Sequence, residues 1–313
     1  MWNYVGRRVA AAVPVLFAVS VLTFLMVHLA PGNPVTLMVP DYASPEVVAQ
    51  ITHHLGLDLP WPTQYWLYLV HALHGDLGSS IRDGTPVLAE IAARFPYTVQ
   101  LTLVALVVSV VIGIPLGVVA AVHRGRWLDL GAMFLSVVWV AAPSFYLALL
   151  MQVYFSNDLS WLPVAGYAGP LFSLAWLKAI AMPSTSLGAR TAAILARLTR
   201  SSFLEAEQSD YVRTAHAKGL TRRVVQYKHV LKNALIPVIT VVGLELGGLL
   251  GGAFITETIF AWPGVGRLGV QAIFNRDLPV IQGTVLLTAV AFVGVNLLVD
   301  LAYAFSDPRV RYA

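Results

Sequence analysis

Four ionisable side chains stand inside long apolar runs of this 313-residue sequence: Arg190, Glu245, Glu257 and Asp300. A charge among apolar residues is costly unless it is paired, solvated or used, so each is a candidate for function before any fold is known. The chemistry open to them is narrow. An arginine attracts a carboxylate, and a carboxylate away from water can pair with a cation, relay a proton or gate a path. Nothing in the sequence has metal-site spacing. There is no cysteine, and His53, His54, His71 and His74 fit no compact ligand set. GxxxxGK[ST], HExxH and GxSxG are all missing, so the chain carries no Walker A loop, zinc-protease helix or nucleophile elbow. No acid pair suits hydrolysis either, so no catalytic residue, resident metal or cofactor is expected.

The elements that must position these charges follow from composition. Apolar residues make up 58% of the chain and charged residues 12%, about half the charged share of a soluble domain. The apolar residues gather into six runs, about 9–29, 98–122, 130–155, 176–198, 236–256 and 283–305, each near the roughly 20 residues a bilayer requires. An all-α membrane protein with about six spanning helices, one domain over 1–313, is expected. The fourth run is the weakest, because it contains Pro183, a Ser/Thr cluster and Arg190. Glu245 falls in the fifth run, Glu257 at its outer end and Asp300 deep in the last. The first run begins like a signal peptide after Arg7 and Arg8. It continues too long and lacks a small-x-small exit before Pro31, which marks a retained anchor helix.

The placement of charge sets the orientation. Fourteen of the twenty Lys and Arg residues fall on the side of the N-terminus: Arg7, Arg8, Arg124, Arg126, Arg197, Arg200, Arg213, Lys218, Arg222, Arg223, Lys228, Lys232, Arg309 and Arg311. By the positive-inside rule that side is cytoplasmic, both termini lie there and the number of spans is even. The net charge of +4 therefore reads as cytoplasmic loops, with no nucleic-acid partner. The segment 31–97 is then external, and it holds Asp41, Glu46, Asp58, Asp76, Asp83 and Glu90 against Arg82 and Arg94. Within it WPTQYWLYLVHAL (61–73) is too short to span, and its aromatic residues suit a helix at the outer headgroup level. Shorter external loops are expected at 157–169 and 257–282.

The longest cytoplasmic loop, 199–234, is the most informative segment. Ser209 or Asp210 can cap a short helix from Tyr211. Val212, Ala215 and Ala217 offer a small packing surface, and Gly219 can end the helix. A second helix over 221–234 carries Arg222, Arg223, Lys228 and Lys232 on its polar positions. A short helix held rigidly between two spans suits docking into a cytoplasmic partner and passing on its motion. A basic loop that only obeys the topology rule and touches headgroups is the plainer reading. Spacing and charge leave both open.

DYVRTAHAKGL (210–220) followed by HVLKNALIPV (229–238) resembles the cytoplasmic loop of permease subunits of binding-protein-dependent ABC importers, in the dipeptide/oligopeptide/nickel branch. In the wider superfamily a Glu-Ala-Ala…Gly motif forms the coupling helix that sits on the ATPase. Arg213, Thr214 and Ala215 stand at the Glu-Ala-Ala positions and Gly219 at the glycine, so only Ala215 and Gly219 match that consensus. His216 replaces an expected arginine. The resemblance covers nearly the whole chain: HLAPGNP (28–34), GDLGSS (75–80), ARLTRSSFLE (196–205), GGAFITETIFAWPGVGRL (251–268) and DPRVRY (307–312) are similar to family segments in the same order.

That resemblance implies a type I importer membrane fold in a bacterial inner membrane. It implies a channel-forming, multi-pass permease subunit with no ATPase of its own. Asp210, Tyr211, Arg213, Thr214, Ala215, Lys218, Gly219 and Leu220 would form the coupling site. The partners implied are a second, related permease chain, two cytoplasmic ATPases that hold ATP and Mg2+, and an external substrate-binding protein. Di- or oligopeptides are the implied substrate; nickel, glutathione and haem-related cargo occur in similar systems. On this reading Arg190 lines the path for a substrate carboxylate, pairs with Glu245, or lies near an interface if its helix starts later. GGLLGG (247–252) is expected to pack helices. Glu257 is solvated or gates the outer end, and Asp300 has a structural partner or relays protons. A different class stays open: a secondary transporter or channel that uses Arg190, Glu245 and Asp300 as an ion relay. Such proteins usually show repeated halves, and none is evident.

Overall fold

The computed structural model describes residues 2–29, 44–54 and 56–306. The motif residues 31–34 and 307–312, with Asp41, Arg309 and Arg311, lie outside the described residues. Among the described residues the chain is helical throughout, with a single isolated bridge between Ser79 and Pro86 in place of any strand.

The described residues form twelve α-helices in succession: α1 (Trp2–Leu29), α2 (Pro45–His54), α3 (Trp61–Leu73), α4 (Val87–Val122), α5 (Trp127–Ala141), α6 (Ser144–Met151), α7 (Leu174–Glu207), α8 (Asp210–Ala217), α9 (Arg222–Val224), α10 (Leu231–Ile259), α11 (Val265–Asn275) and α12 (Leu278–Ser306). Wider π-helical turns continue α6 over Gln152–Asp158 and join α9 to α10 over Val225–Val230. The chain divides into two compact units, Met1–Thr98 with Pro263–Ala313, and Val99–Trp262.

Among the described residues four stretches are helical, long and apolar enough to cross a membrane: Gly6–Met26, Val87–Val122, Arg222–Ile259 and Leu278–Leu301. The third expected span, 130–155, is not one straight helix. It breaks between α5 and α6 with a bend of 107°. Pro143 is the cause: it has no N–H to donate, and its ring pushes Ala142 into extended backbone (φ −74°, ψ 128°). The fourth expected span lies inside α7, which is as long as its neighbours (34 residues) but too polar to count with them.

Polarity notwithstanding, α7 is the most enclosed helix of the second unit, with Trp176, Met182, Leu195, Phe203 and a run of alanines all buried. Its Ser/Thr cluster makes no outward polar demand. Ser184 and Thr185 donate to the carbonyl of Ala181, and Ser186 donates to that of Pro183. These hydroxyls are satisfied within the helix itself, beside Pro183. Small residues bring α4 and α7 into backbone contact. A Cβ on Gly113 would lie 2.5 Å from the carbonyl oxygen of Ala192, and one on Gly117 would lie 2.4 Å from that of Ala196. A Cβ on Gly188 would meet the carbonyl oxygen of Ala105 at 2.6 Å. This is small-xxx-small packing. In GGLLGG, Gly247 is buried and a Cβ on Gly252 would lie 3.3 Å from Leu187 of α7, while Gly248 and Gly251 face open space.

In the first unit, α3 forms over the expected residues and packs beside α1. The hydroxyl of Tyr65 is 2.8 Å from that of Ser20, and that of Tyr68 is 3.0 Å from that of Thr23. Val87, Ile91, Val265, Leu268, Ala272 and Val280 form the core of this unit.

Candidate functional site

The segment 199–234 is built from three pieces of helix and little loop. α7 runs on through Glu207, and the helix leading into α10 starts at Arg222. Only α8 and the turns flanking it stand between them. The expected second helix at 221–234 is therefore the start of the fifth span and is continuous with it through the π-helical turn. Ser209 occupies the N-cap position in extended backbone without a side-chain bond, and Lys218 is the C-cap. Gly219 follows at φ +78°, a left-handed conformation that glycine adopts without strain and that ends the helix.

α8 is seated by its apolar face. Val212 and Ala215 are its buried residues, and they join a cluster with Val118 and Ala121 from α4, Phe203 from α7, Val225 and Val230 from the π-helical turn, and Ala234 from α10. The amide of Gln226 donates to Glu207 at 2.9 Å and ties the two helices beneath the seat. The opposite face is open: Asp210, Tyr211, Arg213, Thr214, Lys218, Gly219 and Leu220 are exposed. The Arg213–Asp210 pair, 3.6 Å apart with both side chains over 80% exposed, contributes little to stability and leaves both groups available. Of the eight residues assigned to this site by motif, Ala215 alone points inward, and Val212 is the anchor that the motif did not mark.

At the foot of α5, Asp129 is buried and takes two hydrogen bonds from Arg200 on α7, at 2.6 and 2.8 Å, and a third from the backbone N–H of Gly125 at 2.9 Å. This bidentate clamp fixes α5 to α7 close to the seat. Neither residue carried a motif signal beyond Arg200 lying in ARLTRSSFLE.

The intramembrane charges separate. Arg190 does not pair with Glu245: the hydroxyl of Thr191 donates to Glu245 at 2.8 Å, where α7 and α10 pack. Thr191 is buried and Arg190 exposed, because adjacent helical residues point about 100° apart. Arg190 and Arg197, seven residues apart, are the exposed members of an otherwise enclosed stretch of α7. Glu257 is not solvated. It is fully buried, and its carbonyl accepts the N–H of Trp262 at 2.8 Å, closing the end of α10. Asp300 has its structural partner: Arg8 on α1 reaches it at 2.9 Å.

In the first unit the GDLGSS segment is held to the α11–α12 turn by a residue outside every motif. Asp277, buried, accepts from the Ser80 hydroxyl at 2.5 Å and from the Ile81 N–H at 3.3 Å. Arg82 donates to Asn275 beside it. At the surface His53 and Asp58 form a pair at 2.7 Å. The shared hydrogen bond lifts the imidazole above its ordinary value and lowers the carboxyl. Among the described residues no group of three His, Asp or Glu could hold a metal.

Comparison with known proteins gives a consistent picture. Residues 113–312 match the family described as binding-protein-dependent transport system inner membrane component, and residues 1–102 match its N-terminal region. The chain is 43% identical to the dipeptide transport system permease protein DppB of Alkalihalophilus pseudofirmus and 45% identical to the glutathione transport system permease protein GsiC of Salmonella typhimurium, each over the full length of both chains. It is 46% identical to a putative peptide transport system permease protein of Brucella abortus over 98% of both. In fold it is similar to a chain of the MetNI methionine ABC transporter (TM-score 0.56, 20% identity, 69% of this chain and 95% of that one). It is also similar to a chain of an amino acid ABC transporter (TM-score 0.53, 16% identity, 68% and 92%).

Proposed function

Because this chain belongs to the family of binding-protein-dependent transport system inner membrane components, we propose that it is the channel-forming permease of an ATP-driven importer of di- or oligopeptides, worked through α8. The names of its relatives support a peptide-like cargo, glutathione itself being a modified tripeptide. Nickel and haem-related cargo stay as alternatives within the family. The chain lies in the bacterial inner membrane with its termini and α8 on the cytoplasmic side, in keeping with its Lys and Arg distribution. It has no ATPase motif. Two ATPases that bind ATP and Mg2+ act beneath it, a second related permease completes the path, and an external binding protein delivers substrate.

One observation carries this reading: α8 keeps a buried apolar face against three long helices and offers its polar face outward. When the ATPases close on ATP they pull that face. Val212 and Ala215 pass the displacement to α4, α7 and α10 together, because all three contribute to the same cluster. The backbone contacts of α4 with α7 and the Asp129–Arg200 clamp keep the second unit from absorbing the motion within itself. Arg190 supplies a cationic point on the open face of α7 where a peptide carboxylate can rest.

The test is reconstitution. The complex formed with its ATPases should import peptide in an ATP-dependent manner, and substitutions along the run from Ala215 to Gly219, exposed from His216 onward, should abolish ATPase association. Uptake by this chain alone, driven by a proton gradient, would establish the secondary-transporter reading instead. Arg190→Leu should raise KM for a peptide with a free C-terminus and leave its amide unaffected; equal behaviour of the two would remove Arg190 from the path.

A further inference from the structure

A cleft of about 700 Å³ opens beside the seat of α8, at the end of the second unit. Its walls come from the end of α4 (Ala121, Val122), the turn that follows (His123, Arg124, Arg126), Glu207 of α7, and the helix entering α10 (Arg222, Arg223, Gln226, Tyr227). Four guanidinium groups from two separate stretches of chain face one carboxylate, and that carboxylate is already engaged by the Gln226 amide. Asp129, the next carboxylate along the chain, is committed to Arg200. None of the four arginines is within ion-pair distance of a carboxylate among the described residues.

Like charges brought to one cavity repel each other, and arginines can offer planar pairs of donors suited to tetrahedral oxyanions. One wall is different. Ala121 and Val122 are the last residues of a spanning helix, so the basic lining meets an apolar edge. That combination fits a phosphate carried at the membrane surface.

We propose that this cleft is a phosphate-binding site, filled by the headgroup of an anionic phospholipid. The phosphodiester lies among Arg124, Arg126, Arg222 and Arg223, and the glycerol and upper acyl chain lie against half-buried Val122 at the helix end. Ala121 also belongs to the cluster that seats α8, so an occupied cleft braces the seat. The proposal needs neither peptide cargo nor coupling through α8 to be correct.

The experiment uses the purified importer complex and counts retained lipid by native mass spectrometry, with thermal stability read in parallel. Nanodiscs of phosphatidylglycerol are compared with nanodiscs of phosphatidylcholine, and inorganic phosphate is titrated in detergent without lipid. Phosphatidylglycerol should be retained and should raise the melting midpoint. Arg124→Gln, Arg222→Gln and Arg223→Gln combined should weaken retention by about fivefold per arginine, on the order of a hundredfold in all. Lys228→Gln removes a charge from the same helix outside the cleft and should leave retention unchanged. Protection by inorganic phosphate alone, lost in the triple variant, would keep the site and assign it to free phosphate. Equal lipid retention by wild type and triple variant would overturn the proposal, as would an equal loss in Lys228→Gln, because charge without a site would then suffice. Protection that follows the ATPase subunits and neither phosphate probe would also overturn it.

Discussion

Val212 offers a sharp test of how α8 is held, because it is hidden from any partner and yet fixes the helix that a partner would grip. α8 has eight residues, too few to persist as a helix alone. Its buried side chains are Val212 and Ala215. Burying a valine contributes about 1.5 kcal/mol and an alanine methyl about 0.8. The seat is thus worth about 2.5 kcal/mol, which leaves about 1–2% of molecules with α8 detached at a given moment. Val212→Ala keeps a methyl's worth of burial and so loses about 0.7 kcal/mol, which should raise the detached fraction to about 5%. Val212→Asp sets a carboxylate among Phe203, Val118 and Val225, a cost larger than the whole seat, so detachment should become the rule. The assay is substrate imported per ATP hydrolysed by the reconstituted complex, with ATPase association verified by co-purification. The alanine variant should lose a modest part of this ratio. The aspartate variant should lose at least about tenfold while hydrolysis continues, one decade corresponding to 1.4 kcal/mol. An aspartate variant that still binds its ATPases and imports at the wild-type ratio would refute the seat as the point of transmission.

Gly117→Ala should destabilise the second unit by about 1–3 kcal/mol, because the new Cβ would sit 2.4 Å from the carbonyl oxygen of Ala196. Gly248→Ala, which meets open space, should leave the melting midpoint in detergent at or above that of wild type. Asp129→Ala leaves Arg200 half-enclosed without its counter-ion and should cost about 3 kcal/mol; Asp129→Leu with Arg200→Met should recover most of it in the same melting assay. The His53–Asp58 pair is a matter of pH. The imidazole is raised, so its contribution is complete below the ordinary histidine range and fades as pH climbs through the raised value; the carboxyl is lowered, so its share fades as acid drops pH through the lowered value. Protection from hydrogen exchange at the end of α2, taken relative to the intrinsic rate at each pH, should be greatest between roughly pH 4 and pH 6.5, and His53→Ala should flatten that profile.

Much of the membrane architecture was legible because it is written locally. Apolar runs and the spacing from Asp210 to Gly219 each lie in one stretch of sequence, and helices form over them. α7 was read as the weakest span for a reason that structure makes plain. Hydropathy counts Ser184, Thr185 and Ser186 as polar, while in the helix their hydroxyls are spent on its own backbone. Pairings across long separations left no local trace. Asp129 and Arg200 are 71 residues apart and Ser80 and Asp277 are 197 apart, and no rule of spacing joins them. Among the glycines, GGLLGG turns only Gly247 and Gly252 inward, while Gly113 and Gly117, four apart in a plain apolar run, meet the α7 backbone itself. Arg190 and Glu245 looked like natural partners by charge. One step of helical rotation gave Glu245 to Thr191 and left the arginine facing outward.

The π-helical turn at Val225–Val230 acts as a phase shift. A wide turn holds one residue more than the α-helix on either side, so Arg222 and Arg223 stand about 100° around the axis from where an unbroken helix would carry them. Deleting a single residue within that turn would restore the common pitch and leave α10 in register with α7. It would also rotate both guanidinium groups away from the cleft. The inserted residue is thus what lets one continuous rod serve two surfaces, with its far part aligned to the core and its near part aimed at the basic pocket.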